Sequence, residues 1–172
     1  MNARLIKPTA DLQEEYLSFY LDWKESNEPI VPWVVSKDPA DFAGMIRFLE
    51  DNEQGKDLPD GYLKNSTLWL VTETNRIVGA VNIRHELNEK LLESSGHIGY
   101  GIRPSERQKG YATQLLSLSL QEAKKLGIHK VLVVCDAYNI GSKKTILNNG
   151  GIPDQDFIEE DGNVLNRFWF EV

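Results

Sequence analysis

The run RPSERQKGYATQLL, Arg103 to Leu116, places a proline, a cluster of charges and one glycine directly before apolar residues at helical spacing. A helix start leaves unpaired backbone N–H groups and the positive end of the helix dipole, so it can receive an anion. Gly110 and Ala112 leave room for a bulky ligand to approach the backbone, and Arg107 and Lys109 add positive charge. A diphosphate suits such a site. An ordinary strand-to-helix turn with solvated basic side chains has the same local signature. Cys135, inside the apolar run KVLVVCD, reads as core, with a covalent nucleophilic role as the alternative. A single cysteine builds neither an internal disulfide nor a multi-thiolate metal site, and no metal is expected.

These residues need elements to hold them. RLIKPT reads as a first short strand, and ADLQEEYLSFYLDWKES follows with Leu12, Tyr16, Leu17, Phe19 and Tyr20 at mostly helical spacings, with Thr9 or Asp11 as its cap. DPADFAGMIRFLEDNEQG reads as a second helix with Asp38 at the N-cap, Pro39 at the first helical position and Gly55 after its end. The proline-broken EPIVPWVVSK between them reads as a loop. STLWLVTE and RIVGAVNIRHEL, separated by TN, predict antiparallel strands joined by a tight turn. EKLLESSG leads into HIGYGIRP, a glycine-interrupted strand closed by Pro104. A helix from about Tyr111 to Leu126, the buried strand KVLVVCD, a short helix GSKKTILNNGG and a last strand VLNRFWFEV complete the order. The expected class is mixed α/β, antiparallel in the middle, with one right-handed βαβ crossover in the second half.

With 172 residues, 41% of them hydrophobic and 26% charged, the chain reads as one soluble domain spanning residues 1–172. No apolar run approaches the ~20 residues of a membrane helix, and the first residues lack the apolar core of a signal peptide, so a cytoplasmic protein is expected. A net charge of −7 disfavours phosphate-backbone binding and suits a cationic or zwitterionic substrate. The expected partners exclude nucleic acid and membrane.

The pattern Arg107-x-x-Gly110-x-Ala112, after a strand ending in IRP and opening a long helix, resembles the acyl-CoA-binding motif of the GNAT N-acetyltransferase superfamily. Downstream, CDAYNIGSKKTILNNGG resembles that family's second signature, matched at Asn139, Ser142 and the pair Gly150 and Gly151. The likeness covers nearly the whole chain in element order. It is strongest to a group of bacterial acetyltransferases of unassigned substrate.

The resemblance implies a mostly antiparallel sheet of six or seven strands, splayed between the fourth and fifth and flanked by about four helices. The pantetheine arm of acetyl-CoA would lie in that gap like an added strand, and Gly99 and Gly101 suit such a close approach. By the family pattern Ile102 supplies main-chain contacts to pantetheine. Gln108, Lys109, Gly110, Tyr111, Ala112 and Thr113 hold the diphosphate with their N–H groups. Arg103 and Arg107 belong to the same cofactor-binding set. Asn139 and Ser142 contact the arm or the adenosine end, and Asn139 also reads as a helix cap.

The implied reaction transfers an acetyl group directly to an amine. An alkyl ammonium with a pKa of about 10 must first lose a proton, so a base is needed, whereas a thiolate with a pKa near ~8.5 leaves with or without an acid. His97, at the start of the fourth strand, competes for the base with Glu86 and His85 at the end of the third. The tyrosine acid that many members carry seven residues beyond the asparagine is Ile146 here. Tyr138 and Tyr100 are the nearby phenols. The expected partners are acetyl-CoA as co-substrate and an amine acceptor, with a homodimer as a possible assembly. An acyl-CoA-binding sensor that has lost turnover is the rival reading.

Overall fold

The computed structural model describes residues 2–172. One sheet runs in the order β1 (Ala3–Ile6), β2 (Asn65–Thr72), β3 (Ile77–Arg84), β4 (Ile98–Ile102), each antiparallel to its neighbour. All but the last residue of β2 and of β3 is buried, which is why they read as near-continuous apolar runs rather than as alternation. Their turn ends at Asn75, whose φ of 61° an asparagine tolerates better than most residues. A second sheet pairs β5 (Lys130–Asp136) with β8 (Val164–Glu171), and the two-residue strands β6 (Ile152–Pro153) and β7 (Phe157–Ile158) share the other edge of β8. This is the expected mixed α/β fold, split between the fourth and fifth strands.

Among the described residues five α-helices clothe the sheets. α1 (Gln13–Ser26) and α2 (Phe42–Gln54) cover one face through Tyr16, Phe19, Trp23, Met45 and Leu49, which pack with Trp69 and Ala80. α3 (Glu89–Ser94) bridges β3 and β4. α4 (Tyr111–Lys125) and α5 (Ile140–Asn148) cover the opposite face, where Leu115, Leu116 and Ile146 meet Ile98, Ile102, Val131, Val133 and Phe168.

The caps refine the sequence reading. Thr9 caps a 3-10 turn at Ala10–Leu12 that precedes α1, accepting the Asp11 N–H at 3.3 Å. α2 is capped by Asp41, which accepts the Gly44 N–H at 2.9 Å, and not by Asp38. Asp38 accepts the Ala40 N–H at 2.9 Å, closing a local turn one step earlier. Gly55 ends α2 with a left-handed φ of 73°.

Candidate active site

β4 and β5 are the facing edges of the two sheets, and they touch at one end. The His97 N–H donates to the Leu132 carbonyl at 2.7 Å, and the Leu132 N–H returns a bond to His97 Nδ1 at 2.9 Å. Gly96 forms the adjoining bridge to Val133, where a Cβ would meet the Leu132 carbonyl oxygen at 2.5 Å. Beyond this point no backbone hydrogen bond joins β4 to β5 among the described residues. The antiparallel ladder sets which β4 groups face the gap. His97 and Arg103 bond Arg84 and Val78 on the β3 side, so by two-residue alternation the N–H and C=O of Ile98, Tyr100 and Ile102 point outward. The free edge is one that an extended arm can pair with.

At the far end of that edge lies the run from Gln108 to Thr113. Gln108 and Gly110 have φ of 59° and 82°, so the backbone turns its amides to one side before α4 begins. Gly110 is the N-cap and has no side chain to offer, and none of the six N–H groups from Gln108 to Thr113 meets an acceptor among the described residues. This row of donors, running into the first turn of a 15-residue helix, suits an anion such as a diphosphate.

The basic side chains there are committed elsewhere, contrary to the sequence reading. Arg107 pairs with Glu28 at 2.7 Å, stacks over Trp23 and donates to the Ile102 carbonyl at 3.3 Å. Lys109 pairs with Glu106 at 2.8 Å. Arg103, 4% exposed, turns to α1, where it meets Glu15 at 2.9 Å, Asp22 at 2.8 Å and the Ser18 hydroxyl at 2.7 Å. The positive character of the loop therefore rests mainly on its N–H groups.

The glycines of β4 also answer to a different neighbour. A Cβ on Gly101 would collide with the Val31 carbonyl oxygen, and one on Gly99 would touch Pro32 Cβ at 3.6 Å. The close approach inferred from these glycines is made by the chain's own α1–α2 connection, on the face opposite α4.

Asn139 caps α5 by accepting the Ser142 N–H at 3.0 Å, and the Ser142 hydroxyl bonds the Tyr100 hydroxyl at 2.9 Å. Tyr100 thus reaches from β4 to α5. Burial pushes its pKa to about 12, so the phenol stays protonated at neutral pH. Tyr138 is 75% exposed beside Asp136, whose charge raises its pKa. Cys135 is buried, and burial raises its pKa, away from the thiolate that a nucleophile requires. Ile146 is wholly buried in the core.

His97 is held between the strands. Burial, then the charge of Arg84, lowers its pKa to about 4. With Nδ1 accepting, the ring's proton sits on Nε2, and no basic nitrogen is left free. Glu86 is exposed in the bend after β3 and bonds nothing among the described residues. His85 Nε2 meets the Ser66 hydroxyl at 2.7 Å, and that hydroxyl also reaches Glu53 at 3.2 Å. The serine, not the imidazole, is the middle member, so the arrangement is not a nucleophilic triad. No group of three or more His, Cys, Asp or Glu side chains placed to hold a metal occurs among the described residues.

The split sheet, the open strand edge and the donor-lined helix start belong to one mixed α/β fold. The acetyltransferase (GNAT) domain model matches residues 3–152, and the chain belongs to that family. No curated protein matches it in sequence. Among solved structures it is similar to the microcin C7 self-immunity acetyltransferase MccE in complex with acetyl-CoA and AMP, at 19% identity, a TM-score of 0.69 and coverage of 99% of this chain and 92% of that one. It is also similar to a Salmonella typhimurium acetyltransferase that modifies the N-terminal serine of ribosomal protein L7/L12, at 13% identity, a TM-score of 0.69 and coverage of 100% and 96%. A third is the dodecameric spermidine N-acetyltransferase from Vibrio cholerae in its intermediate state, at 14% identity, a TM-score of 0.67 and coverage of 98% and 93%. Among the described residues no helix is long and apolar enough to cross a membrane.

Proposed function

We propose that this chain transfers an acetyl group from acetyl-CoA to a primary amine of a small molecule or peptide by direct attack in a ternary complex. The observation that carries this is the unbroken row of six unpartnered N–H groups, Gln108 to Thr113, at the end of the open β4 edge. In this reading those N–H groups take the diphosphate, and the main chain of Ile102 pairs with the pantetheine arm. Asn139 holds the start of α5 against the arm, and its side-chain N–H group remains available to it. The outward N–H of Tyr100 stands where an oxyanion can be received.

Acetyl-CoA supplies the thioester. The neutral amine attacks its carbonyl carbon, the C–N bond forms, the C–S bond breaks, and coenzyme A leaves as thiolate. Glu86, free and exposed, is assigned as the base that takes the ammonium proton through water, because His97 is committed to Leu132. The Tyr100 phenol is assigned as proton donor to the thiolate, filling the part left open by Ile146, and the proton that the nitrogen sheds as the amide forms passes through water to restore the phenol. Coenzyme A release measured over a panel of amines tests the reading. Turnover with any of them supports it, whereas tight acetyl-CoA binding with transfer to no acceptor favours the sensor.

A further inference from the structure

The sheet face under α1 and α2 lies opposite the one that α4 and α5 cover. On this face β3 presents Ala80, Asn82 and Arg84, opposite Gly101, Gly99 and His97 of β4. The α1–α2 connection covers Gly101 with Val31 and Gly99 with Pro32. Arg84 lies two residue pairs beyond that cover. Its guanidinium donates to the Gly96 carbonyl at 3.0 Å and stands near Tyr62, whose ring stacks edgewise on Trp33 at 5.2 Å.

Among the described residues the other arginines that are not fully exposed all have their charge answered. Arg76, Arg103, Arg107 and Arg167 each meet a carboxylate within 3 Å. Arg4 and Arg47 are exposed and need no partner. Arg84 is half-buried, donates to the Gly96 carbonyl and meets no carboxylate. A guanidinium taken out of water is costly unless it is paired, and its planar fork matches a carboxylate with two parallel bonds. One strand step further in, Asn82 is fully buried and its Oδ1 has no donor, while its Nδ2 bonds Asn65 at 2.6 Å and Thr67 at 3.2 Å. Arg84 therefore has unfilled capacity for an anion, two residues along the strand from a fully buried polar side chain.

We propose that Arg84 binds a carboxylate of the acceptor, so that the amine acetylated here also carries a carboxylate, as an amino acid or peptide does. This rests on the acetyltransferase reading and narrows its substrate class. It sets the chain apart from an enzyme for polyamines, which have no group for Arg84 to hold. A zwitterion also suits a protein of net charge −7 better than an anion without an amine would.

The test compares matched amines that differ only in the carboxylate, lysine against 1,5-diaminopentane, by coenzyme A release. Product binding is measured alongside, with N-acetylglycine against N-methylacetamide on the coenzyme A-loaded protein. The wild type should favour the carboxylate-bearing member of each pair by about tenfold or more, the scale of a charge-assisted pair. Arg84→Gln should erase the preference through KM, Arg84→Lys should keep part of it, and acetyl-CoA affinity should be the same in all three proteins. Equal or better use of the carboxylate-free members, or a preference that survives Arg84→Gln, overturns the inference while leaving acetyl transfer standing. Failure of the wild type to bind acetyl-CoA removes the parent reading and this one with it.

Discussion

His97 Nδ1 accepts the N–H of Leu132 at 2.9 Å, beside the main-chain bond from the His97 N–H to the Leu132 carbonyl at 2.7 Å, so an imidazole shares in joining the two sheets at the closed end of the split. The bond requires an unprotonated Nδ1. Protonation in the folded chain is opposed by burial and by the nearby Arg84, so the pKa falls from an ordinary 6.5 to about 4. The unfolded chain therefore takes up the proton first on acidification. The stability contributed is complete above about pH 6.5 and is lost as pH falls towards 4, a change of about 3 kcal/mol for a shift of this size. Urea unfolding between pH 7 and 4.5 should show a steeper loss for the wild type than for His97→Phe. His85, whose pKa is also lowered, gives a slope of the same sign in both proteins. Equal slopes would contradict the clip.

The two glycines of β4 should respond unequally to substitution. Gly101→Ala drives a methyl group into the Val31 carbonyl and should cost about 1–3 kcal/mol, the usual scale of overpacking, while displacing the α1–α2 connection. Gly99→Ala meets only Pro32 Cβ at 3.6 Å, an ordinary contact, and should be nearly neutral. Thermal unfolding of the pair checks this, and equal effects would show that the connection does not lie on Gly101.

The start of α4 at Tyr111, the cap at Asn139, the stop at Gly55 and the β2–β3 pairing were legible in the sequence, because each rests on local chemistry within a few residues. Asp38 misled because an aspartate before a proline satisfies a turn as readily as a helix start. β6 and β7 escaped notice because two-residue strands carry no periodicity and exist only through β8. The commitment of Arg103 to α1 joins residues 81 to 88 positions apart, and the use of Gly101 by Val31 and the lack of a carboxylate at Arg84 depend equally on distant parts of the chain. Spacing along a chain does not encode them.

Tyr100→Phe removes the phenol that bonds Ser142 and keeps the ring that packs against the core. If that hydroxyl protonates the departing thiolate, kcat should fall by about 10²-fold, the low end for acid catalysis because a thiolate is already a fair leaving group. Because the pKa of Tyr100 is pushed up to about 12, its loss should not alter the pH profile below pH 9. Unchanged kcat in single-turnover measurements would reassign the hydroxyl to holding α5 alone.

The measurement that bears most directly on the whole account is calorimetric titration of acetyl-CoA into the wild type and into Gly110→Asp. The wild type should bind, with the diphosphate in the row from Gln108 to Thr113. Gly110→Asp puts a carboxylate on that row at a backbone φ of 82°, and should abolish binding while circular dichroism shows the fold intact. Unchanged affinity in a folded Gly110→Asp protein would contradict the placement of the diphosphate, and with it the assignment of the gap between β4 and β5 as the acetyl-CoA site.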